Sequence, residues 1–195
     1  SHDIITLLTP LAVACLTFLQ WRVNLEASRR YFSDKLLEYL VPILEAEDLA
    51  AKMLYAKRNY DNNLKQNQFS RDIHDKPFMR DKKKKIDDAA DNFQDALKPA
   101  QDSMFRLVLL LGLHRSDTPT ADRRYARLVQ DKIDELLTFA FQCKAEIIEH
   151  GWFEKDGKVQ EAIINMQVDD ALKKLSKLHR EMLNLVTAKY SVRRL

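Results

Sequence analysis

Cys143, Glu146 and His150 are the residues whose types and spacing could support chemistry in this sequence. On a helix they occupy adjacent turns, so a thiolate, a carboxylate and an imidazole could hold one metal ion. Cys143 also occupies a position in a regular apolar series, where a buried free thiol is common. Helical bundles that bind paired metal ions use Glu-x-x-His motifs on two helices, and this sequence contains none. We therefore predict no metal ion and no cofactor.

Sequence motifs of common enzymes are also absent. The chain has no glycine-rich phosphate loop, no G-x-S-x-G and no H-E-x-x-H, and it contains only three glycines. These absences make an enzyme the less favoured class. A metal-dependent enzyme built in the core of the fold stays open as a second alternative function.

A set of basic and aromatic residues indicates a protein partner. Four consecutive lysines follow an apolar pair in a long connecting segment, and an aromatic pair follows Gly151. Aspartates flank the lysines, so nucleic acid is not an expected partner. The predicted partner-binding residues are Phe78, Met79, Lys82, Lys83, Lys84, Lys85, Trp152 and Phe153.

The composition is that of a helical protein. Of 195 residues, 46% are hydrophobic and 31% are charged, which is the balance of a globular domain. Only three glycines and five prolines occur, and this favours long helices over a sheet. The net charge of +3 combines 32 basic with 29 acidic residues, as on a solvated helical surface. Cys15 and Cys143 are expected to be reduced thiols in a cytosolic setting, and Ser1-His2 is compatible with a tag remnant.

Four apolar series with helical spacing define the expected fold. They predict helices at about residues 22–65, 84–113, 119–150 and 158–190. Thr118 and Pro119 form a helix start, and Gly151 ends the third helix. The predicted fold is all-α, an antiparallel four-helix bundle whose long first helix is extended by an N-terminal hydrophobic segment.

That segment, Ile4–Trp21, has 18 residues and no charge. Its apolar residues cover every side of a helix, and a helix of this length spans about 27 Å, close to the roughly 30 Å hydrocarbon core of a bilayer. We predict a transmembrane anchor. Two alternatives stay open: an oligomerisation or core helix, and a cleaved signal segment, although the basic start of a signal segment is missing.

Charges around the segment predict its orientation. Asp3 precedes it and arginines follow it, so the positive-inside rule places residues 22–195 in the cytoplasm. In an up-down-up-down bundle, the basic connection 114–127 and the basic C-terminal tail would face the same membrane. The predicted membrane-interface residues are Trp21, Arg22, Arg29, Arg30, Arg193 and Arg194. The expected location is the bacterial inner membrane, and a cytoplasmic protein is the alternative.

The start of the chain resembles a known group of proteins. The hydrophobic span runs into QWRVN, Gln20 to Asn24, and then into RRYFSDKLLEYL, Arg29 to Leu40. These roughly 40 residues are similar to a loose group of bacterial single-pass membrane proteins with a helical cytoplasmic domain of uncharacterised function. The resemblance implies a bacterial membrane protein and carries over no catalytic residue.

These features predict a membrane-anchored interaction, scaffold or sensor protein that acts through contacts with an unidentified protein partner. A membrane effector in a stress or phage-defence system is one form that such a protein would take. The alternative is a soluble helical homo-oligomer assembled through the N-terminal apolar helix. Membrane lipid and further copies of the chain are therefore expected partners as well.

Overall fold

The computed structural model describes most of the chain. Its described residues are 2–66, 77–113, 119–149, 151–155, 158–161 and 166–191, with side chains described for residues 16–28, 30–66, 77–112, 123–149, 151–152 and 166–187. The elements are α1 (His2–Gln66), α2 (Pro77–Leu113), α3 (Pro119–Ile148), β1 (Trp152–Lys155), β2 (Lys158–Glu161) and α4 (Val168–Ser191). Four helices pack on one another, and the predicted all-α bundle is confirmed.

Helix α4 runs antiparallel to α1. His179 Nδ1 lies 2.8 Å from Glu47 Oε2, and Arg58 Nε lies 3.0 Å from Asp169 Oδ1. Partner numbers in α4 therefore fall as those in α1 rise. The two helices lie side by side in opposite directions.

Helix α4 also runs antiparallel to α3. Lys132 Nζ lies 2.9 Å from Glu181 Oε2, and Lys174 Nζ lies 4.3 Å from the centre of the Phe139 ring. Helix α2 packs antiparallel to α3 as well, because Lys144 Nζ donates a hydrogen bond to Gln94 Oε1 at 3.0 Å and a Cβ at Gly112 would lie 3.9 Å from that of Ala126. The chain thus follows the up-down-up-down order that short connections favour.

The core consists of one apolar stripe from each helix. In α3 the buried positions include Val129, Ile133, Leu136, Ala140, Cys143 and Ile147, and in α1 they include Ile43, Ala46, Ala50, Met53, Lys57 and Tyr60. Steps of three and four residues keep these positions on one side of a helix. The same spacing that defines the helices in the sequence therefore forms the core.

Helix α2 begins at Pro77 rather than near residue 84. Proline fits the first turn of a helix, because its missing N–H would have no partner there. Met79 is then buried in the core. Lys83 Nζ lies 2.8 Å from Asp87 Oδ2 one turn later, so the lysine run lies within the helix instead of at its start.

A short hairpin separates α3 from α4. Strands β1 and β2 pair antiparallel, with Trp152 opposite Glu161 and Lys155 opposite Lys158. The fourth helix begins at Val168, not near residue 158. Two aspartates in its first turn suit the positive end of the helix dipole.

The chain divides into two compact units, Ser1–Glu38 and Tyr39–Leu195. The first unit is the N-terminal part of α1, and the second contains the contacts given above. Among the described residues, no helix has an apolar stretch long enough to cross a membrane. Side chains of residues 2–15 lie outside this description, so the predicted anchor Ile4–Trp21 is covered only from Leu16 onward.

Gly151→Ala is expected to destabilise the protein. A Cβ atom at Gly151 would lie 2.2 Å from the carbonyl oxygen of Ile147, which belongs to the backbone of α3. The backbone would have to shift, and we expect the free energy of unfolding to fall by about 2 kcal/mol. Urea denaturation followed by circular dichroism measures this change.

Gly112→Ala is the matched control. A Cβ atom there would meet the Cβ of Ala126 at 3.9 Å, an ordinary van der Waals contact. Stability should stay unchanged or rise by up to about 1 kcal/mol, because alanine loses less backbone freedom than glycine in a helix. Equal losses in the two variants would contradict the steric explanation.

Candidate interaction surfaces

A buried lysine lies beside the hairpin. The Lys57 side chain is 2% exposed, and its Nζ lies 2.5 Å from Asp61 Oδ1, one turn later in α1. Among the described residues it is the only buried charged side chain. A buried ammonium group without a partner is costly, so the ion pair explains how a lysine can occupy an apolar position of α1.

Trp152, the first residue of β1, packs near this lysine. Its ring makes an edge-to-face contact with Tyr60, with centroids 5.1 Å apart and planes at 88°. The Nζ atoms of Lys57 and Lys83 lie 5.7 Å and 5.0 Å from the Trp152 ring centre, within the range of cation–π attraction. We call Lys57, Tyr60, Lys83 and Trp152 the aromatic–lysine cluster. It joins α1, α2 and the hairpin.

Burial of the Trp152 indole N–H in the cluster costs free energy. The indole N–H of Trp152 is buried and finds no acceptor within the described part of the chain. An unmade hydrogen bond of this kind costs about 1–3 kcal/mol. Ring packing and two nearby ammonium groups must outweigh that cost. Lys57 in α1 pairs with Asp61, and Lys83 in α2 pairs with Asp87, so both lysine charges are balanced within their own helices. The cluster therefore connects α1, α2 and the hairpin through the Trp152 ring.

Three of the predicted partner-binding residues are buried or half-buried. Met79 is fully buried and belongs to the core. Lys83 and Trp152 are half-buried and contact each other in the cluster. The structure thus brings together two segments that the sequence places about 70 residues apart, as the predicted surface requires, but turns Met79 away from it.

The other predicted partner-binding residues lie near the start of α2 and in β1. Lys84 and Lys85 are exposed, Phe78 is exposed, and Lys82 is half-buried. The side chain of Phe153 lies outside the described residues. The surface available to a partner is therefore the outer side of the first turns of α2.

The metal-ligand candidates do not form a described site. Cys143 is buried, and this burial raises the pKa of its thiol to about 11, with Lys174 opposing the shift. Glu146 is half-buried, and His150 lies outside the described residues. No group of three metal-binding side chains occurs within the described part of the chain.

The first unit exposes a series of large apolar side chains. Exposed fractions of Leu16, Phe18, Leu19, Trp21 and Val23 lie between 55% and 66%. We call these five residues the apolar collar. Phe18 and Trp21 contact each other with ring centroids 5.8 Å apart. A water-soluble monomer rarely leaves so many neighbouring apolar side chains uncovered.

Of the predicted membrane-interface residues, Trp21, Arg22 and Arg30 are exposed. Arg22 Nε lies 3.6 Å from Glu26 Oε1 in a solvent-exposed pair. The side chain of Arg29 and the whole of Arg193 and Arg194 lie outside the described residues.

Polar contacts fasten α3 to α4. Lys132 bonds both Glu135 and Glu181, at 2.6 Å and 2.9 Å, and these bonds raise the pKa of Lys132. The Lys132 bond likewise lowers the pKa of the Glu181 carboxyl. Tyr125 donates a hydrogen bond to the carbonyl of Leu185, and burial raises the pKa of this phenol. These contacts could not be predicted from the sequence, because no local sequence pattern links a residue of α3 with its partner in α4.

No protein-family model, curated protein or solved structure matches this chain.

Asp61→Asn is expected to destabilise the bundle. The substitution leaves the buried Lys57 ammonium facing a neutral amide. Loss of one partner from a fully buried pair costs about 3–5 kcal/mol, and because Asp61 is 27% exposed we expect a loss of about 2 kcal/mol. Chemical denaturation measures the loss, and adding Lys57→Met should recover much of it.

Asp48→Asn is the matched control in the same helix. Asp48 and Lys52 form another i,i+4 pair at 2.6 Å, but both side chains are at least 60% exposed. Such pairs contribute less than about 1 kcal/mol. If Asp48→Asn and Asp61→Asn were equally destabilising, burial of Lys57 would not be the cause.

The contribution of Cys143 to stability should depend on pH. Its pKa rises from 9.0 to about 11 in the folded chain, so only the unfolded chain loses the proton between these values. Stability from the buried thiol is therefore complete below pH 9 and is lost as pH rises through 11. We expect the difference in unfolding free energy between wild type and Cys143→Ala to change by about 2 kcal/mol from pH 8 to 10.5. A constant difference would contradict a buried, protonated thiol.

Proposed function

We propose that this chain is a helical interaction protein held at a membrane by its N-terminal apolar helix. The observation that carries the proposal is the apolar collar, whose five large side chains are all more than half exposed. Water is an unfavourable surrounding for this surface, so lipid or other protein should cover it. Four residues of the collar lie within the uncharged sequence Ile4–Trp21, and Val23 follows Arg22. The length of that uncharged sequence favours lipid.

The position of charge supports the same assignment. Trp21 lies at the end of the uncharged sequence, and Arg22 and Arg30 are exposed just beyond it. Interfacial tryptophans and following arginines are typical of the cytoplasmic end of a membrane helix. We infer a single-pass protein of a bacterial inner membrane, with the bundle in the cytoplasm.

The proposed role of the bundle is protein–protein interaction. Its core is filled by apolar side chains and by Lys57, whose ion-pair partner Asp61 is part-exposed. The exposed start of α2 offers Phe78, Lys84 and Lys85 to a partner. A scaffold, a sensor or a membrane effector in a stress or phage-defence system would each use such a module. The unidentified partner is expected to be a protein with an acidic surface.

A soluble homo-oligomer is the second candidate, because the apolar collar would suit another copy of itself equally well in composition. The two candidates differ in what covers the collar. Lipid requires detergent for extraction, whereas self-association leaves an oligomer in aqueous buffer.

Reconstitution into neutral phosphatidylcholine vesicles tests the anchor. The full chain should float with the vesicles and resist extraction with alkaline carbonate. Leu11→Arg places a charge near the middle of the uncharged sequence, at a cost of about 2.5–3.5 kcal/mol for a membrane helix. We expect this variant to float at least tenfold less.

Leu37→Arg is the matched control, since Leu37 is an exposed leucine of α1 outside the uncharged sequence. It should float like the wild type. Recovery of the wild type in the supernatant as a monodisperse oligomer would support the second candidate instead. Recovery as a monomer would exclude both.

A further inference from the structure

The uncharged sequence at the start of α1 is bounded by a charge at each end. Asp3 precedes Ile4 and Arg22 follows Trp21, and α1 runs as one helix from His2 to Gln66. Both charges therefore lie on the same continuous helix. At about 1.5 Å per residue, the Cα atoms of Asp3 and Arg22 are about 28 Å apart. The helix thus fixes how much uncharged sequence a bilayer can cover.

The C-terminal boundary consists of two charges in contact. Arg22 Nε lies 3.6 Å from Glu26 Oε1, and the two side chains are 65% and 53% exposed. A bilayer that covered Arg22 would take the carboxylate of Glu26 out of water with it. The mutual attraction of an ion pair repays only part of that loss of hydration. The apolar region of a bilayer should therefore end before Arg22.

The apolar part that fits hydrocarbon is shorter still. Trp21 is 58% exposed, and tryptophan favours the boundary between headgroups and hydrocarbon. The polar side chain of Gln20 is exposed just before it. With Trp21 at that boundary, the hydrocarbon contains Ile4 to Leu19, which are 16 residues or about 24 Å of helix. The core of an ordinary bilayer is about 30 Å thick, so this helix is too short by about 6 Å.

A helix that is too short has few ways to correct the mismatch. A long apolar helix can tilt, but tilting makes a short helix span even less of the bilayer. The bilayer must become thinner, or the flanking charges must move towards the hydrocarbon. The Arg22–Glu26 pair opposes the second response, because both groups would lose water together.

We propose that the N-terminal helix inserts preferentially into bilayers whose hydrocarbon core is thinner than about 30 Å. The inference rests on the proposed function, because it concerns the lipid around the uncharged sequence, and it adds the kind of bilayer that the anchor fits. Other copies of the chain would cover the same side chains without any dependence on bilayer thickness. Thickness dependence is therefore a property of lipid insertion alone.

The test uses the full chain and three kinds of neutral vesicle. Dimyristoleoyl-, dioleoyl- and dierucoylphosphatidylcholine share one headgroup and differ in acyl-chain length, so thickness is the variable. The chain is diluted from detergent into each kind of vesicle, extracted with alkaline carbonate and floated. We expect about tenfold more inserted chain in the vesicles with the shortest acyl chains than in those with the longest, because the cost of mismatch grows with each Å.

Arg22→Leu/Glu26→Leu should remove this preference. The variant keeps the net charge and extends the uncharged sequence from Ile4 to Ser28, which is 25 residues or about 37 Å of helix. It is long enough for the thickest of the three bilayers and can tilt in the thinner ones. We expect it to insert into the vesicles with the longest acyl chains about tenfold more than the wild type does.

Asp48→Leu/Lys52→Leu is the matched control. It removes another exposed i,i+4 ion pair of α1, outside the uncharged sequence, and adds the same two leucines. It should keep the thickness dependence of the wild type. Thermal melts followed by circular dichroism confirm that each variant is folded.

Several results would overturn the proposal. Equal insertion of the wild type into all three kinds of vesicle would exclude a thickness preference but leave the anchor intact. An unchanged preference in Arg22→Leu/Glu26→Leu would mean that the charge boundary does not set the length. If the control variant gained insertion equally, added apolar surface would be the cause. Failure to float with any vesicle would contradict the anchor itself, and the preference with it.

Discussion

Burial of one apolar stripe from each helix is the constraint on which the other features depend. The stripes keep steps of three and four residues, so four antiparallel helices can bury their apolar stripes against one another. Lys57 interrupts the stripe of α1 with a charge. An ion pair with Asp61 balances this charge, and the rings of Tyr60 and Trp152 pack against each other beside it. The polar contacts around Lys57 thus follow from a charged residue at a position where the stripe would otherwise hold an apolar one.

The hairpin is placed by the same requirement. Gly151 allows the chain to pass against the last turn of α3, where a side chain would collide with the Ile147 carbonyl. Trp152 then reaches α1 and α2 and covers their lysines. Its indole N–H stays without an acceptor among the described residues, which indicates that ring packing decides the arrangement.

Helix identity was predictable from the sequence because its signal repeats over many turns. The hairpin was not, since strands of four residues are too short to show a period of two. The start of α2 was missed because Pro77 and the lysine run both suit a connection as well as a first turn. Pairs such as Glu47–His179 join residues 132 positions apart, and only packing of the helices brings them together. For the candidate surface, the sequence predicted that Lys83 and Trp152 share an end but not that Met79 is buried.

Basic charge is concentrated locally, although the net charge of the whole chain is only +3. Residues 80–85 carry five basic residues and one aspartate. Lys83 pairs with Asp87, whereas Lys84 and Lys85 are exposed at the start of α2, where Phe78 is exposed as well. An acidic protein surface would therefore be attracted to the start of α2, and Phe78 would gain free energy once a partner removed it from water.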